Sequence, residues 1–161
     1  MQTEKKAKQK PVQQPIDSRM SIGGHPVHPT LIHFPVALLL AAVLSDAAFL
    51  YTEDPFWARG SIWLIGLGAL GGWVAGAVGL IDLVTVRDIR RLITGWNHAI
   101  LAVVMLSVAS FNWMIRLDDM VGFIKPWGIY LSFLTALMIL LASLAGGQLV
   151  YEHGVGVSID T

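Results

Sequence analysis

The chain has 161 residues, no net formal charge, 55% hydrophobic and only 14% charged residues, and a mean hydropathy of +0.63. Soluble domains carry roughly 25% charged residues, so a soluble globule is excluded and an integral membrane protein is expected. Eleven basic residues against eleven acidic ones leave no basic field for nucleic acid, and the absence of cysteine excludes disulfides, thiolate metal sites, CxxCH haem attachment and a cysteine nucleophile.

Residues 1–24 open the chain with four lysines, four glutamines and two prolines and have almost nothing to bury. They read as a disordered cytoplasmic tail. No apolar stretch and small-residue cleavage site follow the basic run directly, so a cleaved signal peptide is not expected.

Residues 25–157 form the expected transmembrane domain, with a short tail at 158–161. Four apolar spans occupy about 30–51, 61–84, 97–115 and 127–151, each near the roughly 20 residues that cross about 30 Å of hydrocarbon. Lipid satisfies no backbone polar group, so a span is a helix or part of a closed barrel. The apolar runs are continuous and lack period-2 alternation, which selects helices. The expected fold is an all-α, four-helix up-down bundle with both termini on one face.

Basic residues set the orientation. Lys5, Lys6, Lys8, Lys10, Arg19, Arg87, Arg90 and Arg91 fall on the face of the termini, against Arg59, Arg116 and Lys125 opposite. By the positive-inside rule the termini are cytoplasmic. Tyr51, Phe56, Trp57, Trp63, Trp113, Trp127 and Tyr130 edge the far face as an aromatic belt.

Residues 86–96 divide on a helical wheel. Val86, Ile89, Leu92, Ile93 and Trp96 lie on one side, and Arg87, Asp88, Arg90, Arg91 and Thr94 on the other. This pattern suits an amphipathic helix lying flat in an anionic leaflet, or a second span that runs past the membrane before turning.

Ionisable groups in or near spans are costly, so their positions point to function. His33, Asp82 and His98 fall near one depth on the cytoplasmic side, with Glu152 and His153 just past the fourth span. First and third helices of such a bundle are diagonal neighbours. His33 and His98 are therefore expected to face each other as ligands of a haem iron or a divalent transition metal. Asp82 and His153 would be further ligands or would fix the imidazole tautomers. Local roles compete: His98 and Asn97 can cap the third helix, His153 can sit at a helix C-terminus, and Asp82 can pair with Arg87.

His25 and His28 are weaker metal candidates. Pro26 and Pro29 push them into an extended path at the surface before the first helix, and Pro35 can kink that helix beside His33. Gly68, Gly72, Gly76, Gly79 and Asp82 share one face of the second span. That groove suits close helix packing, or a flat cofactor or quinone held at Gly76 and Gly79. On the far side, Asp46 is expected to tie to Arg116 or Asn112. The span serines have no nearby base and no GxSxG elbow, so a hydrolase is not expected.

The segments HPVHPTLIHFP, GWVAGAVGLID and GGQLVYEHGVGV resemble the bacterial membrane-protein family catalogued as domain of unknown function 2231. The resemblance covers about His25 to Val157 and carries His25, His28, His33, Gly76, Gly79, Asp82, Gly147, Tyr151, His153 and Gly154. It implies a small multi-span domain with no established activity. Relatives fused to Rieske or cytochrome c modules imply proximity to electron transfer, as an association. The leading expectation is a redox-associated subunit that binds haem b or a metal ion and contacts a redox protein, respiratory complex or quinone, with enzymatic activity left open. The alternatives are a non-catalytic bundle that anchors a partner through its glycine face and basic helix, and ion or proton transport.

Overall fold

The structure is a computed structural model that describes residues 15–157. Among them, four helices are long and apolar enough to cross a membrane: Val27–Thr52, Pro55–Thr85, Ile93–Asp118 and Ile124–Tyr151. A two-residue-stranded hairpin, β1 (Ser21–Ile22) and β2 (His25–Pro26), leads into α1 (Val27–Thr52). Then follow α2 (Pro55–Thr85), a single turn α3 (Arg87–Arg90), α4 (Ile93–Asp118), an irregular turn over Ile124–Gly128 with Lys125 extended, and α5 (Ile129–Tyr151).

The junctions follow from local chemistry. Glu53 ends α1 in the left-handed region (φ 57°), and its N–H donates to Phe49 O. Asp54 caps α2 by accepting from Phe56 N at 2.9 Å, and Pro55 occupies the first helical position, where its missing N–H costs nothing. Helices α1 and α2 thus form a tight antiparallel hairpin, and α4 and α5 form a second. The hairpins meet along α2–α4 and α1–α5, which leaves α1 diagonal to α4.

The two hairpins repeat each other's pattern of burial. Pro35, Leu39, Ala42 and Asp46 of α1 are matched in order and spacing by Met105, Ala109, Asn112 and Arg116 of α4. Ser61, Ile65, Gly68, Gly72 and Ala75 are matched by Gly128, Ser132, Thr135, Ile139 and Ala142. Leu39, Ala42, Ile65, Ala69, Met105, Leu106, Ala109 and Ile139 form the apolar core.

Large side chains such as Leu44, Trp63, Phe111, Phe133 and Leu144 point outward, where lipid is the solvent. Because lipid supplies no hydrophobic drive between helices, close packing must hold the bundle. Glycines of α2 allow this: on the stripe Leu39 lies against Gly68 and Leu106 against Gly72, and off it the Trp113 indole lies against Gly66, in space a Cβ would occupy.

Two expectations are corrected. Residues 86–96 are not one flat helix, because Leu92 is extended (φ −81°, ψ 119°) between α3 and α4. The segment turns a corner instead: Ile89 is buried, Trp96 Nε1 donates to Arg90 O at 2.9 Å, and Ile93 points outward. Residues 15–24, expected within a disordered tail, form a strap. Ile16 N donates to Gly154 O at 3.0 Å, Gly156 N donates to Ile16 O at 2.8 Å, and Val27 N donates to Met20 O at 2.8 Å. Sparse apolar content hid this segment, since backbone and polar side-chain hydrogen bonds hold it.

Candidate functional site: an imidazole pair at one end of the bundle

His28 and His98 occupy equivalent places in the two hairpins. Each lies 18 residues before the charged residue of its helix, Asp46 in α1 and Arg116 in α4. Eighteen residues make five helical turns, so His28 shares the inward face of Asp46 and His98 that of Arg116. The two rings meet across the diagonal with centroids 6.1 Å apart and planes at 82°.

Both rings are anchored in the same way. His28 Nδ1 is 2.8 Å from Ala75 O of α2, and His98 Nδ1 is 2.9 Å from Ala142 O of α5. A carbonyl oxygen only accepts, so each Nδ1 carries the hydrogen, and in the neutral ring Nε2 keeps its lone pair. Glycine four residues beyond each carbonyl makes the approach possible. A Cβ on Gly79 would lie 2.7 Å from His28 Nδ1, and one on Gly146 would lie 3.2 Å from His98 Cε1.

The other predicted residues do not join this pair. His33 is exposed, about 140° around α1 from His28 at 100° per residue. The reason is that α1 begins at Val27, before Pro29 rather than at it. That start puts His28 inside the helix on the buried face and turns His33 out. His25 is exposed too, with Nδ1 3.0 Å from Gly23 O.

Asp82 is only 8% exposed, but it faces the strap: Oδ2 accepts from Ser18 Oγ at 2.5 Å and Oδ1 from Met20 N at 2.9 Å. It makes no ion pair with Arg87; among the described residues the ion pairs are Arg116–Asp46 and Lys125–Glu53. His153 is half-buried in the turn after α5, where its backbone N donates to Gln148 O at 3.2 Å. His98 does not cap α4, whose N-cap is Leu92. Gly76 faces Leu106 at 3.7 Å from a notional Cβ, and the space at Gly79 holds the His28 ring. Among the described residues no three His, Asp or Glu side chains are grouped to hold a metal ion.

The opposite end is sealed. Arg116 binds Asp46 through two bonds, Nη1 to Oδ1 at 2.6 Å and Nη2 to Oδ2 at 2.8 Å. Ser61 Oγ donates to Asp46 Oδ1 at 2.5 Å, and Ser132 Oγ donates to Oδ2 at 2.7 Å. Arg116 Nε donates to Asn112 Oδ1 at 2.9 Å, and Asn112 Nδ2 donates to Ser132 Oγ at 2.9 Å. Among the described residues no buried side-chain polar atom lacks a partner. The expected Asp46 tie is therefore present, and it takes in Arg116 directly and Asn112 through the arginine.

Sequence reasoning missed the primacy of His28, the two carbonyl anchors and Gly146. The signal was available in the equal spacing of His28 to Asp46 and His98 to Arg116.

Helix length, apolarity and packing define a four-span α-helical membrane protein with an imidazole pair at one end and a sealed ion pair at the other. Residues 24–159 match the family described as Predicted membrane protein (DUF2231), and the chain belongs to that family. No curated protein and no solved structure matches the chain.

Proposed function

We propose that the protein is a membrane redox subunit in which His28 and His98 hold a haem b iron between them. The observation that carries this reading is the paired anchoring of both Nδ1–H groups on backbone carbonyls. That device fixes the tautomer of a ligating histidine and leaves Nε2 for the metal. The two rings lie with centroids 6.1 Å apart, close enough that one ion would be within reach of both Nε2 atoms if they turned toward it. A bare divalent ion is the weaker version, because such ions take three or four protein ligands and this end offers two imidazoles.

His28 and His98 would hold the group through Nε2, and a haem bound there would supply electron transfer. The proposed donor or acceptor is a redox protein, respiratory complex or quinone that meets the histidine end. The proposed setting is a bacterial inner membrane with that end cytoplasmic, on the strength of the basic residues around it. A scaffold that docks through its glycine face is less well supported, since that face is filled by Leu39, Leu106 and the His28 ring. Transport has no support either: Leu39, Ile65, Met105 and Leu106 fill the axis between the two polar ends.

The test is an absorption spectrum of detergent-purified protein produced with haem supplied. A Soret band with reduced α and β bands is expected, lost in His28→Ala and in His98→Ala and kept in His33→Ala. A featureless spectrum from the wild-type protein overturns the haem reading, and near-stoichiometric metal by elemental analysis would then favour the bare-ion version.

A further inference from the structure

We infer that residues 16–26 are a clasp that gates aqueous access to the His28–His98 pair. This goes beyond the proposed function and does not depend on which group the pair binds. The clasp is fastened at three places. Asp82, near the end of α2, accepts from Ser18 Oγ and Met20 N. Ile16 pairs with Val155 beyond the end of α5, through bonds to Gly154 and Gly156. Met20 O accepts from Val27 N at the start of α1.

These attachment points flank the imidazoles. Asp82 is three residues past Gly79, the seat of the His28 ring, and Val27 is the neighbour of His28 itself. Helices α2 and α5 each supply one glycine seat, and the clasp bridges their ends. It therefore ties the two hairpins together at the end where the rings meet.

The fastening is polar and local. No residue of the clasp belongs to an apolar core cluster, Ile22 is 76% exposed, and a cleft of about 310 Å³ lies among Asp17, Ser18, Ser21, Gly24, Pro26 and Gly156. A segment with few buried apolar contacts opens more readily than the bundle beneath it. The hairpin within it turns through Gly23 and Gly24, both at positive φ (58° and 80°), which a two-residue antiparallel turn requires. The clasp is thus a preformed unit able to swing off as one piece.

The experiment measures modification of the histidines by diethyl pyrocarbonate, read by peptide mass spectrometry on the full chain purified in detergent without added haem. Exposed His33, which lies outside the clasp, gives the reference rate. In the wild type, His28 and His98 should react slowly against that reference. Asp82→Ala, which removes the acceptor of two clasp bonds, should accelerate both by more than about tenfold, the scale of losing even one hydrogen bond to a carboxylate.

The chain has no cysteine, so the double variant Ile16→Cys/Val155→Cys offers one possible disulfide. Its oxidised form should protect His28 and His98 several-fold relative to its reduced form, a comparison made within one folded protein. Rates indifferent to both Asp82→Ala and the disulfide overturn the gate. Protein whose rates respond but which takes up no haem keeps the gate and loses the haem reading.

Discussion

Asp46 and Arg116 meet at 2.6 Å with both side chains wholly buried, on diagonal helices that are packed through apolar residues between this pair and the histidines. Breaking a buried pair leaves one charge without compensation and costs about 3–5 kcal/mol, whereas replacing both partners by apolar groups is often neutral or stabilising. Asp46→Ala and Arg116→Ala should therefore each lower the melting temperature in detergent sharply. Asp46→Leu/Arg116→Met should recover most of the loss. A double variant as unstable as the singles would mean that the serine and asparagine bonds, rather than the ion pair, dominate this end.

The two imidazole seats should differ in tolerance. An alanine at position 79 places a methyl 2.7 Å from His28 Nδ1, while one at 146 stands 3.2 Å from His98 Cε1. Gly79→Ala is expected to lose nearly all bound haem and Gly146→Ala only part, as read from the haem-to-protein absorbance ratio. Full retention by both would show that the rings do not need these glycines.

Glycines one turn apart on α2 should also respond oppositely. A methyl at Gly72 would overlap the Leu106 side chain, and at Gly76 the nearest atom is an ordinary 3.7 Å away. Gly72→Ala should destabilise by about 1–3 kcal/mol through overpacking. Gly76→Ala should be neutral or stabilising by up to about 1 kcal/mol through helix propensity. Thermal melts of the two variants side by side check the contrast.

The bonds between Ile16 and Gly154–Gly156 bring the two ends of the described chain together. Reporters fused before Met1 and after Thr161 should thus agree, both active in the cytoplasm under the proposed orientation. Reporters that disagree would contradict the four-span arrangement, and two that are active only outside would invert the orientation alone.

The spans were legible because about 20 apolar residues in a row have few fates other than a membrane helix. The Asp46–Arg116 tie was legible because charge inside a span demands a partner. His28 was not, because two prolines beside it suggested an extended path, and the rule that proline disfavours helix in the preceding residue gave way to a helix that begins at Val27. The clasp was hidden for another reason. Its bonds to Asp82 join residues 62 and 64 positions apart, and no local pattern of apolar residues announces a contact made by one hydroxyl and one amide.

The matched hairpins carry a consequence for assembly. Were either hairpin to pair with an identical copy, Asp46 would face Asp46, or Arg116 would face Arg116, in a lipid-sheltered interior that tolerates neither. The histidines sit at equivalent positions and face no such conflict. Joining two unlike halves in one polypeptide is what permits opposite charges at one end of the axis while the other end keeps like rings facing each other.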